Sequence, residues 1–330
     1  MPDLHAALTA VQRWVRARYG AEATAEILHH CRISGGETST AALAFHVLVS
    51  HRSPKKTERV DVFWKLATPG EARALRALMD ADPVLRPAGG IMPELLAHGM
   101  IDRAPWVLLP FYPGDTLASP QDAPLELVEG LAAMHAYFQQ RPGLVAGLPR
   151  VTADRWKRQC RAAARAARLS DTEHAGIGEH IARLLEDAVE HASVDRALGV
   201  LPATLVHGDV HEYNVLVSGD RCRLIDWGNA RLGPGMLDVA NVAAPGSALF
   251  NHYAQSLTRQ NIQADARLML VGYEWAQVQI CTQYLPYILR AKGLQAAFQL
   301  ATQMQASLRD LSSMLDRVDI PFQGGRREYP

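Results

Sequence analysis

LPATLVHGDVHEYNVLVSGDRCRLIDWGNARLGPG, residues 201–235, is a non-helical island in a second half that otherwise reads as amphipathic helix. Two short β-prone runs, VLV and RLID, flank an SGD turn, and the polar residues around them answer no packing need. They are ordered: His207, Asp209 and Asn214 form H-x-D-x-x-x-x-N, and Asp226 opens D-W-G twelve positions after Asn214. Phosphoryl transfer from a nucleotide asks for a carboxylate near the attacking hydroxyl and for oxygen ligands that hold magnesium against the phosphates. Asp209 suits the first task. Asn214 offers a neutral oxygen and Asp226 a charged one, and the intervening hairpin lets the three converge.

Upstream, the chain carries the other pieces such chemistry uses. Lys65 sits in the β-prone run VFWKL, and Glu71 is the only acidic residue between Lys65 and Asp80. Before them, ISGGETST places Gly35 and Gly36 ahead of hydroxyl residues, where backbone N–H groups can approach a phosphate. The doublet is not G-x-G-x-x-G. Strand-like runs cover 37–50, 58–67, 94–101 and 106–109, with a polar HRSPKKT turn between the first two and a helix over 71–80 that Pro69 and Gly70 set off. The breaker-rich PFYPGDTLASP marks a boundary, and helices follow at 125–140, 153–169, 176–194, 265–290 and 294–318.

The protein-kinase signature runs H-R-D, N, D-F-G, and the order here is HGD, N, DWG. More closely, HGDVHEYNVLV followed by LIDWGNARLGPGMLDVANV resembles the aminoglycoside phosphotransferase and choline kinase group, the small-molecule branch of the protein-kinase-like fold. The resemblance implies an α+β, protein-kinase-like bilobal fold. Residues 1–112 would form a nucleotide-binding lobe with an N-terminal helix, an antiparallel sheet, one C-type helix and a hinge at 109–113. Residues 113–330 would form a helical lobe with the catalytic loop 207–214 and the metal motif 226–228.

By the same resemblance Asp209 is the catalytic base, and Asn214 and Asp226 bind Mg2+. Lys65 reaches the phosphates of ATP and is fixed by Glu71, while Gly35 and Gly36 belong to the phosphate loop. At the hinge, LLPFYPG implies that the Pro110 carbonyl and the Tyr112 N–H meet adenine, with Leu109 behind it. Proline is harmless there because it lacks only the N–H. His207 props the loop, and Asp238 is structural. The sequence does not decide between ATP and GTP.

Departures from the protein-kinase pattern carry information too. Gly208 replaces the arginine that answers to a phosphorylated activation loop, and no A-P-E follows DWG, which speaks against regulation by loop phosphorylation. His211 stands where protein kinases carry lysine, and its charge varies near neutral pH; it is assigned to the transferring phosphate or the acceptor.

Composition narrows the partners. Lys plus Arg and Asp plus Glu both number 34 in 330 residues, which argues for a small-molecule acceptor and against nucleic acid or a membrane surface as the main partner. Four dispersed cysteines suggest neither a zinc cage nor a disulfide framework. Arg13, Arg16 and Arg18 interrupt the first helix and Glu274 interrupts the apolar stretch 268–289, so neither export nor a membrane span is expected and the cytoplasm is the expected location. Monomer or homodimer stays open.

From Arg231 onward seven acidic residues face nine Lys or Arg, which weighs against the most cationic acceptors. Tyr273, Trp275, Tyr284 and Tyr287 are candidates for an acceptor pocket or for core packing, His135 is read as a packed core histidine, and Glu274 wants either an acceptor group or an arginine as partner. The rival reading is a nucleotide-binding scaffold without turnover, a pseudokinase. Retention of Lys65, Asp209, Asn214 and Asp226 opposes it.

Overall fold

Along residues 42–66 Leu43, Phe45, Val47, Val49, Val62 and Trp64 are buried on one face of paired strands, and the intervening positions turn to the other face. The structure, a computed structural model, describes residues 2–33, 42–52, 55–85, 90–170, 176–219 and 221–317. Gly35 and Gly36 lie outside the described residues. The first half contains α1 (Pro2–Tyr19), β1 (Thr24–Arg32), β2 (Ala42–Arg52), β3 (Lys55–Leu66), α2 (Pro69–Leu85), β4 (Ala97–Ile101), β5 (Ala104–Pro110), β6 (Asp115–Thr116) and α3 (Leu125–Gln140). There follow α4 (Ala153–Leu169), α5 (Ile177–Val189), α6 (Ser193–Val200), β7 (Ala203–Val206), β8 (Val215–Ser218), β9 (Arg221–Leu224), β10 (Arg231–Pro234), α7 (Met236–Val239), α8 (Ala248–Arg259) and α9 (Ala266–Arg317).

Two compact units result, Met1–Pro149 with His207–Arg231, and Arg150–Val206 with Leu232–Pro330. This differs from a division at residue 112/113, and the reason is local. Strand β8 pairs with β6 and β9, Glu126 of α3 accepts from the Cys222 N–H at 2.8 Å, and α2 packs on the turn after Asp226, so the 207–231 segment groups with the sheet.

In the first unit the antiparallel sheet has the order β1-β2-β3-β5-β4. One face packs on α1 through Ala7, Ala10, Val11, Trp14 and Val15, against Phe45, Val47, Trp64, Trp106 and Leu108. Strand β1 was not singled out from the sequence because TAEILHHCR lies at the sheet edge, is exposed over most of its length and shows little apolar alternation. Its register with β2 shifts between Ile27 and His29.

In the second unit α4, α5 and α6 pack on α9, with a small β7/β10 pair beside them. The helix expected over 176–194 is two helices, α5 and α6, with His191 and Ser193 hydrogen-bonded at 2.6 Å in the turn between them. The helices expected at 265–290 and 294–318 meet at Gly293, whose φ of 82° and ψ of 180° break the helical path. The chain doubles back there, bringing Thr282 within 3.3 Å of the Met304 sulfur. Among the described residues no helix is long and apolar enough to cross a membrane.

Candidate active site

The alternation that buries Trp64 against α1 turns Lys65 to the opposite face of β3, where it is 7% exposed. Immediately after the strand, Thr68-Pro69-Gly70-Glu71 starts α2 as a capping box. The Glu71 N–H donates to Thr68 Oγ1 at 3.1 Å, and the Thr68 backbone donates back to the Glu71 carboxylate. Pro69 is thus the first residue of the helix rather than a breaker ahead of it. Glu71 comes early in α2 because it is the reciprocal member of that cap, and the same carboxylate lies 2.7 Å from Lys65 Nζ.

Lys65 has a second anionic neighbour, Asp226 Oδ1, at 3.2 Å. Burial would push the Lys65 ammonium down, but Glu71 and Asp226 together hold its pKa above the ordinary value. Glu71 is raised, because burial outweighs the pull of Lys65. For Asp226, burial works upward, yet Lys65, His207 and the Gly228 N–H overcome it and keep the carboxyl below its usual range. Asp226 itself has a left-handed backbone, φ 60° and ψ 69°, a conformation that short polar side chains tolerate and that turns its carboxylate toward Lys65.

The segment 207–214 is fastened to this turn. His207 Nε2 lies 2.8 Å from the Ile225 carbonyl, and its ring meets Trp227 edge-on at 4.8 Å. The Asn214 amide nitrogen donates to the Asp209 carbonyl at 2.9 Å and lies 3.0 Å from His211 Nε2. The other His211 nitrogen, Nδ1, accepts from the Tyr213 N–H at 3.2 Å and so caps the short turn that presents Asn214. With the nitrogen of Asn214 engaged, its oxygen is the end able to meet a cation. Asp226, whose Oδ1 lies 3.2 Å from Lys65 Nζ, offers a charged carboxylate for the same purpose.

Asp209 is held by a residue that the sequence reading passed over. Asn229 Nδ2 donates to Asp209 Oδ2 at 3.0 Å. His211 Nε2 lies farther from the same oxygen, at 3.9 Å. Gly208 explains the HGD spelling: its φ is 77°, and a Cβ there would sit 2.6 Å from the Asn229 carbonyl and 3.1 Å from the Arg231 guanidinium carbon. Arg231, buried, donates to the Gly208 carbonyl at 3.3 Å.

The model of the Phosphotransferase enzyme family matches residues 45–277. The chain belongs to this family. It spans the segments just described, from β2 through Lys65, Asp209 and Asp226 into α9. Among solved structures, a choline kinase from Cryptosporidium parvum Iowa II is similar over 89% of this chain and 90% of its own, at 12% identity and a TM-score of 0.54. A spectinomycin phosphotransferase in complex with ADP and spectinomycin is similar over 93% of this chain and 98% of its own, at 15% identity and a TM-score of 0.51. Among curated proteins none matches by sequence. The expected protein-kinase-like α+β fold and the expected enzyme class, a phosphotransferase, are therefore those of this chain.

In this phosphotransferase the predicted hinge residues continue β5. Leu109 is buried, and the Phe111 N–H donates to the Asp61 carbonyl at 2.9 Å. That bond makes 61/111 a hydrogen-bonded pair of the antiparallel ladder, so Pro110, opposite Val62, occupies a non-bonded position and its carbonyl points away from β3. Tyr112 is anchored by its hydroxyl, which accepts from the Glu94 N–H at 2.7 Å, and Arg223 lies over its ring at 5.5 Å.

The candidates in the late helix separate by burial. Trp275 is core, Tyr287 is exposed, and Tyr273 packs edge-on against Phe250 at 6.4 Å. Glu274 hydrogen-bonds Ser307 across the doubled-back helix and is raised, first by burial and also by Asp310 nearby. Its partner is a hydroxyl rather than the arginine considered from the sequence. His135 and Asp238 are both buried, at 1% and 0% exposure, in keeping with structural roles.

Proposed function

We propose that this phosphotransferase is an ATP-dependent small-molecule kinase that transfers the γ-phosphate to an acceptor hydroxyl. The observation that carries the reading is the joining of Lys65 to both Glu71 and Asp226, within the compact unit where Asn214 ties to Asp209. A nucleotide triphosphate needs a fixed cation on its phosphates, and a buried lysine braced by a helix-capping glutamate is one. Asp209 takes the acceptor's proton as the hydroxyl oxygen bonds to the γ-phosphorus; the bond from that phosphorus to the bridging oxygen breaks and ADP leaves.

Asn214 and Asp226 each have a hard oxygen to offer, which fits Mg2+, and these two would hold it. The remaining ligands would be phosphate oxygens and water, and the ion's contribution is neutralisation of charge on the phosphates. Lys65 would meet the phosphates, Gly35 and Gly36 would approach them, and Leu109, Pro110 and Tyr112 would receive adenine. His211, capping its turn, would lie toward the transferring phosphate or the acceptor. Residues 1–112 and 113–330 remain the proposed functional lobes, with the hinge at 109–113. The similar structures named for choline and spectinomycin point to an amino alcohol, sugar, amino sugar or antibiotic as acceptor.

The test is ADP release from MgATP with a panel of sugars, amino alcohols, aminoglycosides and macrolides, for the native chain and Asp209→Ala. Acceptor-dependent turnover that Asp209→Ala lowers by about a thousandfold or more, with nucleotide affinity retained, is expected. Nucleotide binding without turnover on any acceptor, unchanged in Asp209→Ala, would establish the scaffold instead.

A further inference from the structure

We infer that Asn229 is a positioning residue for the reacting carboxylate, orienting Asp209 so that one oxygen faces the acceptor hydroxyl. The inference deepens the proposed reaction and rests on Asp209 being its base. An aspartate carboxylate rotates in a broad, roughly two-fold well, so packing alone does not select which oxygen points at a substrate. Asn214 fixes the main chain of Asp209 by donating to its carbonyl, and the Asn229 amide donates to the carboxylate itself, 3.0 Å from Oδ2. A donor fixed on Oδ2 sets the rotation of the carboxylate and thereby the direction in which it meets the acceptor.

Asn229 can do this because its own main chain is fixed. It ends the short turn Trp227–Asn229, the Ala230 N–H closes on the Trp227 carbonyl at 3.0 Å, and Trp227 is buried against His207. On the other side, the close approach of the Asn229 carbonyl to Gly208 sets the register between the segment after D-W-G and the loop carrying Asp209. Arg231, donating to the Gly208 carbonyl, holds that register from two residues further on. The amide is therefore delivered by a segment locked to the catalytic loop at His207, Gly208 and Asp209 in succession. Asn229 is itself exposed, so replacing it leaves the core intact.

The test compares Asn229→Ala, Asn229→Asp and Asp209→Ala with the native chain. Turnover is followed as MgATP hydrolysis, with water as acceptor, and with the best acceptor of the panel. Asn229→Ala should lower kcat by about 10- to 100-fold and leave KM for ATP within about threefold, as expected for a misaimed reacting group. Asn229→Asp, which sets a second carboxylate against Asp209, should be slower still. Crystals of Asn229→Ala with AMP-PNP should show the Asp209 carboxylate turned or split, and this reading decides the matter even where turnover is slow. An unmoved carboxylate, or a kcat within twofold of native, overturns the inference; so does a raised KM at unchanged kcat, the mark of a structural role. If Asp209→Ala itself retains native turnover, the proposed base falls. If Asp209→Ala is inactive while Asn229→Ala is unimpaired, only the positioning role falls.

Discussion

Glu71→Gln separates the two tasks of the residue that braces Lys65. Glutamine fills the last position of a capping box as glutamate does, so the helix start at Thr68 should survive, whereas the negative charge 2.7 Å from Lys65 Nζ is removed. The Lys65 and Glu71 side chains are only 9% and 4% exposed, so the orphaned ammonium cannot simply rehydrate. Breaking a buried pair by removing one partner costs about 3–5 kcal/mol. Asp226, 3.2 Å from the same ammonium and more exposed, compensates in part. A loss of about 2–4 kcal/mol is expected for Glu71→Gln. Lys65→Met leaves the opposite orphan, Glu71, which burial already biases toward the protonated form.

The decisive measurement is the double-mutant cycle, by urea unfolding followed by far-ultraviolet circular dichroism. Because the double variant leaves neither charge of the pair buried and alone, it should be more stable than the sum of the singles implies, by about 2 kcal/mol. Additivity within about 0.5 kcal/mol would refute the reasoning, since it would mean that the two side chains do not depend on each other.

Gly208→Arg, which restores the protein-kinase spelling, should destabilise by about 2 kcal/mol or more, from the left-handed φ and the Asn229 carbonyl 2.6 Å from the new Cβ; an unchanged urea midpoint would contradict this. Cys31 is exposed while Cys160, Cys222 and Cys281 are buried, so a thiol reagent should find one fast cysteine in the native protein and all four in denaturant; more than one fast thiol would count against the packing. Burial pushes those three thiols up to about 12 from 9.0, so the folded chain keeps protons that the unfolded chain has lost, and stability should decline as pH rises from 9 toward 12. A flat alkaline limb, measured by urea midpoints at successive pH values, would show that the thiols do not contribute. At the acid end Asp226 acts in the opposite sense: its lowered pKa contributes stability above about pH 3.8 that is lost as pH falls through the folded value.

The residues proposed to carry the chemistry were legible because their spacing is covalent. H-x-D-x-x-x-x-N and D-W-G are short patterns on either side of one hairpin, and no folding argument is needed to see that Asp209, Asn214 and Asp226 lie close along the chain. Helices α3 and α4 were equally legible from a continuous 3.6-residue periodicity, with Pro124 and Pro142 bracketing the first and Thr152 capping the second. Strand β1 was not, because an exposed edge strand need not alternate. Asn229 escaped for a different reason. An exposed amide next to D-W-G has no periodicity or spacing rule to mark it; its distance from Asp209 Oδ2 exists only once the hairpin has folded back.

The sequence alone carried the fold class and the class of reaction, through the family resemblance that HGD, N and DWG make visible, because those motifs are local order written along the chain. Only the tertiary structure decided which atoms meet. It made Glu71 at once a helix cap and the brace for Lys65, brought Asp226 to that same lysine from 161 positions away, and grouped the 207–231 segment with the sheet rather than with the helices. The physical reason is range. Periodicity and turn chemistry act over a few residues and are written in order along the chain, whereas ion pairs and hydrogen bonds between distant segments depend on burial and direction, which only the packed chain supplies.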